Sequence, residues 1–294
     1  MASSNLDLPR SSWRLVQTPP ARGAWNMAVD EAILEAAGRG LVPPTLRLYA
    51  WSPPCLSLGF SQPAADADLQ ALKRRSWDLV RRPTGGRAIL HTDEITYSVC
   101  GPHTEPRLAG SVLESYQRLS EALLEALQML AIPAQVHPEE TRPPNNQGRP
   151  NGSTAQGPVC FEVPSSYEIT ARGKKVIGSA QARKVEGVLQ HGSLPLSGDL
   201  SRILQVLVTP EENKLAIEQA RHRAAQRLQE RAITIEEFLG YPIGWETAAQ
   251  AFITAFTNVL NLELQPTELT SAEIQRAEQL VITKYAHPDW TFKV

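Results

Sequence analysis

The stretch PVCFEVPSSYEITARGKKVIGSAQARKVEGVLQHGSLPL, residues 158–196, carries the clearest fold signal in the chain. Residues 166–172 alternate apolar and polar side chains, Gly173 and the two lysines after it predict a turn, and two further alternating runs follow, the last ending at His191 and Gly192. Such alternation predicts half-buried strands, and a glycine-containing turn between two of them predicts a hairpin. The stretch therefore predicts a meander of strands that is entered through a proline-flanked loop.

The same stretch holds a cysteine and a lysine that are candidates for a reactive pair. A cysteine reacts as its thiolate, and its ordinary pKa of about 8.5 falls when an ammonium group lies nearby. Cys160 and Lys175 are these candidates, and the small residues Gly178, Ser179 and Ala180 would let a substrate approach the backbone closely. The alternative is that the cysteine is a buried packing residue and the lysine a solvated turn residue. The residues alone leave both interpretations open.

Several long, ungapped blocks carry a resemblance to a known family. They are CFEVPSSYEI at 160–169, GKKVIGSAQARK at 173–184, VLQHGSLPL at 188–196, RRPTGGRAILHTDEITYSV at 81–99, GAWNMAVDEAIL at 23–34 and KYAHPDW at 284–290. Together these blocks resemble the octanoyltransferase branch, of the LipM type, of the lipoate and biotin protein ligase superfamily. The resemblance covers most of the chain.

The resemblance implies an α+β fold of the biotin/lipoate ligase type, with mixed, largely antiparallel sheets and helices packed on their faces. Alternating strands between a few strong helices are consistent with that architecture, and less so with a regular βαβ repeat. We expect residues 13–210 to form the catalytic core. Residues 211–294 are expected to form a helical C-terminal extension that packs on the same domain.

The resemblance also implies an acyltransferase reaction in two steps. Cys160 would take an octanoyl group from octanoyl-acyl carrier protein as a thioester, and the target lysine of a lipoyl-domain protein would then attack it. Lys175 would hold the cysteine as thiolate and stabilise the developing oxyanion. The implied acceptors are the glycine cleavage H protein or the E2 component of a 2-oxoacid dehydrogenase. No ATP, other cofactor or metal is expected.

Further substrate-binding residues follow from the matching blocks: Arg82, Gly85, Gly86, Arg87, His91 and His191. In the resembled family the glycine pair forms a wall of the acyl tunnel, flanked by the positions of Arg87 and His91. Related ligases commonly carry a third glycine where this chain has Arg87, and that departure fits a site that holds no adenylate. His91 is interpreted as either a general base or a structural hydrogen-bonding residue.

Three other functions remain open at this point. An ATP-dependent lipoate ligase would keep a lysine at position 175 without needing a cysteine at position 160. An amidotransferase that moves octanoyl between lipoyl domains would also use a cysteine. A non-enzymatic accessory protein that binds the acyl carrier would not need Cys160 at all.

Composition limits the class of protein. The chain has 294 residues, 42% of them hydrophobic, with a formal net charge of −2 and three cysteines. This balance gives no basic footprint for nucleic acid, and so few cysteines give no disulfide framework. The first residues lack the apolar core of a signal peptide, and no apolar run reaches the length of a membrane span. We therefore expect a cytoplasmic protein without membrane segments.

Helical periodicity predicts helices over residues 24–37, 111–130, 245–260 and 272–285. Asp30 and Glu31 are expected to be surface carboxylates of the first of them. The cationic residues at 73–75, with Arg81 and Arg82, are interpreted as either a solvated face or a docking surface for an acidic partner. Residues 138–158 are rich in Pro, Gly, Asn and Gln, and predict a mobile loop that is either a lid or a solvated insertion. Cys55 and Cys100 are expected to be packing residues.

Overall fold

The fold is that of a computed structural model of the chain, which describes residues 8–137, 159, 168–211 and 213–294. Within these residues the chain forms eleven strands and eight α-helices. The strands are β1 Ser11–Gln17, β2 Thr45–Tyr49, β3 Cys55–Leu58, β4 Asp78–Arg81, β5 Ile89–His91, β6 Glu94–Gly101, β7 Gln135–His137, β8 Glu168–Ala171, β9 Lys174–Arg183, β10 Val188–Pro195 and β11 Leu262–Pro266. The helices are α1 Gly23–Gly38, α2 Leu69–Arg75, α3 Val112–Met129, α4 Lys214–Arg231, α5 Ile235–Leu239, α6 Trp245–Val259, α7 Ser271–Leu280 and α8 Pro288–Thr291.

The strands form two mixed sheets. The large sheet has the order β11-β1-β2-β6-β10-β9-β8-β7, and its pairs are antiparallel except β11 with β1 and β1 with β2. The small sheet has the order β4-β3-β5, with one parallel and one antiparallel pair. This arrangement confirms the expected α+β fold with mixed, largely antiparallel sheets.

The predicted meander is present as β8, β9 and β10, which are consecutive neighbours towards the β7 edge of the large sheet. The turn between β8 and β9 is formed by Arg172 and Gly173, whose φ angles of 51° and 73° are both left-handed, as a two-residue hairpin turn requires. The turn was predicted over residues 173–175, which is wrong by about one residue. As a result, the two lysines after Gly173 lie inside β9 and their side chains point to opposite faces.

The main helices pack on the sheets for reasons that are visible in the sequence. Helix α3 begins with a capping box of Ser111 and Glu114, and its apolar stripe packs against α6 and the large sheet. Helix α1 is buried along almost its whole length and packs against β6, β10 and α7. The predicted helices are all confirmed, although 272–285 divides into α7 and a π-helical turn, Val281–Tyr285.

The residues after 210 contact both sheets. Strand β11 extends the large sheet at its β1 edge, and helix α4 packs beside the 3₁₀ segment Leu200–Gln205. The division of the chain at residue 210 stays a prediction. The loop predicted at residues 138–158 lies outside the described residues. Among the helices of the described residues, none combines the length and the apolar character that crossing a membrane requires.

Candidate active site

A largely apolar cavity lies between the two sheets and α1. It holds roughly 680 Å³ of space, its open mouth included. Its walls come from β9 and β10 of the large sheet, from β3 and β5 of the small sheet, and from the loop between β4 and β5. Nine of the residues predicted for the site line it: Arg82, Gly86, Arg87, His91, Lys175, Gly178, Ser179, Ala180 and His191. The fold therefore brings together positions that are up to 109 residues apart.

Lys175 faces into this cavity from the second position of β9. Its side chain is 4% exposed, and its Nζ donates to Glu168 Oε1 at 2.9 Å. The neighbouring Lys174 points to the other face of the hairpin and pairs with Glu237 Oε1 at 3.2 Å. Lys175 and not Lys174 therefore lines the cavity, and its catalytic role stays a prediction. A buried ammonium at a cavity wall can stabilise an anion, because water screens it little there.

The residue before Cys160 pairs with the segment that carries two cavity-lining residues. Val159 is fully buried and forms a parallel bridge with Ala88, which stands between the cavity-lining residues Arg87 and Ile89. Cys160 itself lies outside the described residues, so its proposed pairing with the lysine stays a prediction.

The other two cysteines are confirmed as packing residues. Cys55 and Cys100 are both buried. Burial, with nearby carboxylates in addition, raises the pKa of each thiol well above its ordinary value. Neither thiol is suited to act as a nucleophile near neutral pH, because the thiolate is the reactive form.

A chain of hydrogen bonds runs along the wall that β3, β5 and β6 form. Glu94 Oε1 accepts from His91 Nδ1 at 2.7 Å, and His91 Nε2 lies 2.8 Å from Ser57 Oγ. The imidazole also stacks on Trp51, with ring centroids 4.0 Å apart and planes inclined by 12°. Trp51 donates to Thr96 Oγ1 at 2.7 Å, and that hydroxyl donates to Glu94. The imidazole is therefore fixed in position on both of its nitrogens and on one face.

A second imidazole stands on the neighbouring strand β10. His191 Nε2 lies 2.7 Å from Thr84 Oγ1, and its Nδ1 lies 3.4 Å from Asp30 Oδ2. Burial lowers the pKa of His191 below its ordinary value, although the hydrogen bond and charge of Asp30 oppose that shift. His191 is therefore held as a neutral ring at neutral pH.

The expectation that Asp30 and Glu31 are surface carboxylates is wrong. Asp30 is fully buried and accepts from Arg47 at 2.7 Å, Ser98 at 2.8 Å and Tyr49 at 2.9 Å. Burial alone raises the pKa of its carboxyl, but Arg47 and the hydrogen bonds outweigh this and hold the pKa below its ordinary value. Glu31 is 7% exposed. Among other contacts, its carboxylate accepts from two lysines, one of which is Lys284, whose Nζ lies 2.7 Å away. Their partners come from distant parts of the chain, which a helical pattern does not reveal.

Arg81 and Arg82 do not belong to a solvated or docking surface, because both are buried. Arg82 Nη2 donates to the carbonyls of Gly85 and Arg87 at 2.8 Å each, so it supports the loop that carries the glycine pair. Gly85 itself does not line the cavity. The guanidinium of Arg82 also reaches Ser57, whose Oγ lies 3.2 Å from Nη1.

The loop that carries Gly85 and Gly86 packs directly against Gly59, which follows the end of β3. A Cβ added at Gly59 would lie 1.9 Å from the carbonyl oxygen of Gly86, so only glycine fits at position 59. Gly86 has a φ of 92°, which side chains other than hydrogen rarely adopt. The glycines therefore serve close backbone packing and loop geometry at the mouth of the cavity.

Comparison with known proteins places the chain in a family. Residues 22–257 match the model of the lipoyl protein ligase A/B catalytic domain. The chain belongs to this family. It is 40% identical to octanoyltransferase LipM of Kyrpidia tusciae, over 96% of this chain and 99% of that protein. It is 41% identical to octanoyltransferase LipM of Moorella thermoacetica, over 96% of this chain and 98% of that protein. The predicted resemblance is confirmed.

A solved structure supports the fold. The chain superposes with a TM-score of 0.75 on a bi-partite lipoate protein ligase from Thermoplasma acidophilum, which was studied with its E2 lipoyl domain. The two are 22% identical, and the match covers 96% of each chain. At this identity the likeness concerns the fold, which confirms the expected ligase-type architecture.

Several cavity residues of this lipoyl protein ligase family member were not predicted: Met27, Tyr49, Trp51, Ser57, Ile89, Thr96, Gly192 and Ser193. Ser193 and Gly192 follow His191 on β10, and alternation along that strand places Ser193 on the same face as the imidazole. That signal was available in the sequence. No local pattern marks Ser57, because its partner His91 comes from another strand.

Proposed function

We propose that this chain is an octanoyltransferase that moves an octanoyl group from an acyl carrier protein to a lysine of a lipoyl-domain protein through a thioester on Cys160. The observation that carries this proposal is the buried ammonium of Lys175, which faces an apolar cavity. The wall of the same cavity includes Arg87 and Ile89, and Val159 forms a bridge with Ala88 between them. Val159 immediately precedes Cys160 in the chain. The names of the LipM relatives support the transferase and do not favour the ligase or amidotransferase alternatives.

In the first step the thiolate of Cys160 attacks the thioester carbonyl of the carrier-bound octanoyl group. The carbon–sulfur bond to the carrier's phosphopantetheine breaks, and a new thioester forms on the enzyme. Thioester exchange is nearly isoenergetic, so the step needs no ATP. Lys175 stabilises both the thiolate and the negative charge that develops on the carbonyl oxygen. Glu168, which accepts from Lys175 Nζ, holds the ammonium in place.

The acyl chain occupies the apolar cavity. Each methylene that leaves water contributes about 0.8 kcal/mol, so a chain of about eight carbons contributes on the order of 5 kcal/mol. The polar side chains Thr96 and Ser193 do not oppose this binding, because both hydroxyls donate to Glu94 within the wall. A wall whose polar atoms are satisfied presents little unmet hydrogen-bonding capacity to an alkyl chain.

In the second step the amine of the acceptor lysine attacks the enzyme thioester and forms the amide. Membership in the lipoyl protein ligase family supports a lipoyl domain as the acceptor. The glycine cleavage H protein and the E2 component of a 2-oxoacid dehydrogenase are the proposed acceptors. The small residues Gly178, Ser179 and Ala180 leave room at the cavity wall for the extended lysine side chain.

Intact mass spectrometry tests the loading step. The purified chain is incubated with octanoyl-acyl carrier protein, and we expect one octanoyl adduct that hydroxylamine removes. Cys160→Ser should give no hydroxylamine-labile adduct, and Lys175→Met should slow loading strongly. Lys174→Met is the matched control, because that lysine faces away from the cavity, and it should load normally. Acylation that requires ATP and a free acid would instead identify a ligase, and carrier binding without any adduct would identify an accessory protein.

A further inference from the structure

We infer that Ser57, His91 and Glu94 form a proton relay that accepts the proton of the acceptor lysine during the transfer step. The inference rests on the proposed function, and it assigns a chemical role to three side chains of the cavity wall. Ser57 Oγ and His91 Nε2 are 2.8 Å apart, and His91 Nδ1 and Glu94 Oε1 are 2.7 Å apart. Ser57 and His91 both line the cavity, so the hydroxyl end of the relay faces the substrate.

The transfer step requires such an acceptor. When the lysine nitrogen attacks the thioester carbon, a carbon–nitrogen bond forms and the carbon–sulfur bond breaks, while the nitrogen must lose a proton. That proton passes to Ser57 Oγ as the hydroxyl proton passes to His91 Nε2. The imidazolium then returns the proton to the departing sulfur. Amine and thioester thus become amide and thiol, with no oxidant or other reactant needed.

Glu94 determines which nitrogen of His91 is free to act as the base. Glu94 Oε1 accepts from His91 Nδ1, from Thr96 Oγ1 at 2.5 Å and from Ser193 Oγ at 2.8 Å. Because a carboxylate only accepts, Nδ1 carries the hydrogen, and Nε2 of the neutral ring presents its lone pair to the Ser57 hydroxyl. The carboxylate also stabilises the imidazolium that forms, as the acidic member of a catalytic triad does.

The other imidazole of the cavity is less suited to this role. The Nδ1 of His191 lies 3.4 Å from Asp30, whose carboxylate already accepts from Arg47, and from two hydroxyls besides. The negative charge of Asp30 is therefore largely compensated before any imidazolium forms at His191. The hydroxyl partner of His191 is Thr84, which does not line the cavity. Of the two arrangements, the one at His91 combines a carboxylate that pairs with no arginine in the described contacts and a hydroxyl residue that lines the cavity.

Several charged groups surround the relay. Glu94 faces His91 from β6, and Arg82 faces Ser57 from the end of β4, with Nη1 3.2 Å from Oγ. The guanidinium favours a hydroxyl that gives up its proton, since it stabilises the resulting negative charge. His191 lies on β10, and Lys175 and Arg87 line the same cavity. None of these cations bonds to His91 Nε2 in the described contacts, where Ser57 is the partner.

Separate measurement of the two half-reactions tests the relay. The acyl-enzyme is prepared from the full chain, and single-turnover transfer to a lipoyl domain is compared for wild type, Ser57→Ala, Ser57→Thr and Glu94→Gln. Loss of a general base typically costs about 10²- to 10⁴-fold. We expect transfer by Ser57→Ala and Glu94→Gln to slow at least about 100-fold more than loading does. Ser57→Thr retains a hydroxyl and should keep most of the transfer rate.

The pH dependence distinguishes a relay from a merely structural contact. The lysine pKa of about 10.4 governs how much neutral amine is present, equally for wild type and variant. The nitrogen loses its further proton only as it attacks, and hydroxide can accept that proton in place of the relay to a growing extent as the pH rises. The deficit of Ser57→Ala should therefore shrink with rising pH. Ser120→Ala is the matched control, because Ser120 is buried on α3 and bonds only its own helix carbonyl in the described contacts. It should keep normal rates.

Three results would overturn the relay: equal slowing of loading and transfer in both variants, a transfer deficit that is constant with pH, or full transfer by Ser57→Ala. If Ser57→Ala does not fold, Glu94→Gln decides, because the amide oxygen can still accept the three hydrogen bonds that Oε1 accepts. Failure of the wild type to load would overturn the proposed function and, with it, this relay. Normal loading with unaffected transfer would overturn the relay alone.

Discussion

The buried pair of Asp30 and Arg47 should dominate the stability of the wall behind the cavity. Both side chains are fully buried, and Oδ1 lies 2.7 Å from Nη1. Asp30→Asn keeps the size of the side chain and removes its charge. The other acceptors of Arg47 are neutral oxygens of Asn26 and Thr18, which cannot replace a carboxylate. Breaking a buried pair from one side costs about 3–5 kcal/mol, because the remaining charge is uncompensated.

Urea unfolding at neutral pH, followed by tryptophan fluorescence, measures this loss. The expected 3–5 kcal/mol is a large part of the roughly 5–15 kcal/mol that stabilises a typical domain. Glu263→Gln is the matched control, because Arg10 and Glu263 form a pair at 3.0 Å whose side chains are 74% and 48% exposed. An exposed pair contributes about 1 kcal/mol or less, so this variant should unfold close to wild type.

The pH dependence of the same comparison has a definite sign. The folded-state pKa of Asp30 is lowered, since Arg47 outweighs the effect of burial. Its contribution is therefore complete above the unfolded-state pKa and is lost as the pH falls through the folded-state pKa. The difference between wild type and Asp30→Asn should shrink in acid. A different result would refute the reasoning that Arg47 needs this carboxylate. That result is a decrease of less than about 1 kcal/mol in the free energy of unfolding of Asp30→Asn at neutral pH, with an unchanged dependence on urea concentration.

Three further outcomes are expected. Gly59→Ala should raise the concentration of octanoyl-carrier thioester that is needed to saturate loading, because the added Cβ would lie 1.9 Å from the Gly86 oxygen and displace the cavity wall. An unchanged saturating concentration would contradict this. A thiol-alkylating reagent should label only Cys160 in the native chain and all three cysteines in urea, because burial raises the pKa of the other two; peptide mapping checks this. An NMR titration should show Lys293 losing its charge near pH 8, because partial desolvation of its ammonium against the rings of Phe60 and Trp290, with Arg81 nearby, lowers its pKa to about 8.

Local periodicity was sufficient to predict the meander and the long helices. Alternation along residues 166–191 corresponds to β8, β9 and β10, and the three- and four-residue spacing of 111–130 corresponds to α3. Strand β11 was not predicted, because its sequence LELQP alternates over only five residues and ends in a proline. It forms at the sheet edge, where exposed positions and a proline are tolerated. Its place depends on pairing with β1, 251 residues earlier.

Nine residues that the motifs pointed to line the cavity, whereas the buried charges around it were not predicted. Composition treats aspartate and arginine as surface residues, because a lone buried charge is costly. Asp30 and Arg47 are 17 residues apart, and Glu31 and Lys284 are 253 apart. Only the folded chain shows that each has a partner. Ser57 was not predicted for the same reason, because its hydrogen-bond partner His91 lies on a neighbouring strand.

Buried arginines also connect the last part of the chain to the rest. Arg14 pairs with Glu273 of α7 at 2.5 Å, and Arg107 donates to the carbonyl of Leu260 at 2.7 Å. Each guanidinium has several donors in a fixed plane, so one side chain can bind groups from separate segments. These contacts attach the residues after 260 to the sheet through charged groups that composition alone would place at the surface.

Arg81 extends this connection to the site itself. Its Nη1 donates to the carbonyl of Gly59 at 2.7 Å, and its Nη2 donates to the carbonyl of Thr291 at 2.7 Å. Gly59 packs directly against Gly86, the glycine that lines the cavity. Because one rigid guanidinium binds both segments, the position of the glycine wall depends on a helix within the last seven residues of the chain. The cavity wall at Gly86 is therefore positioned by the last helix of the chain as well as by the glycine motif.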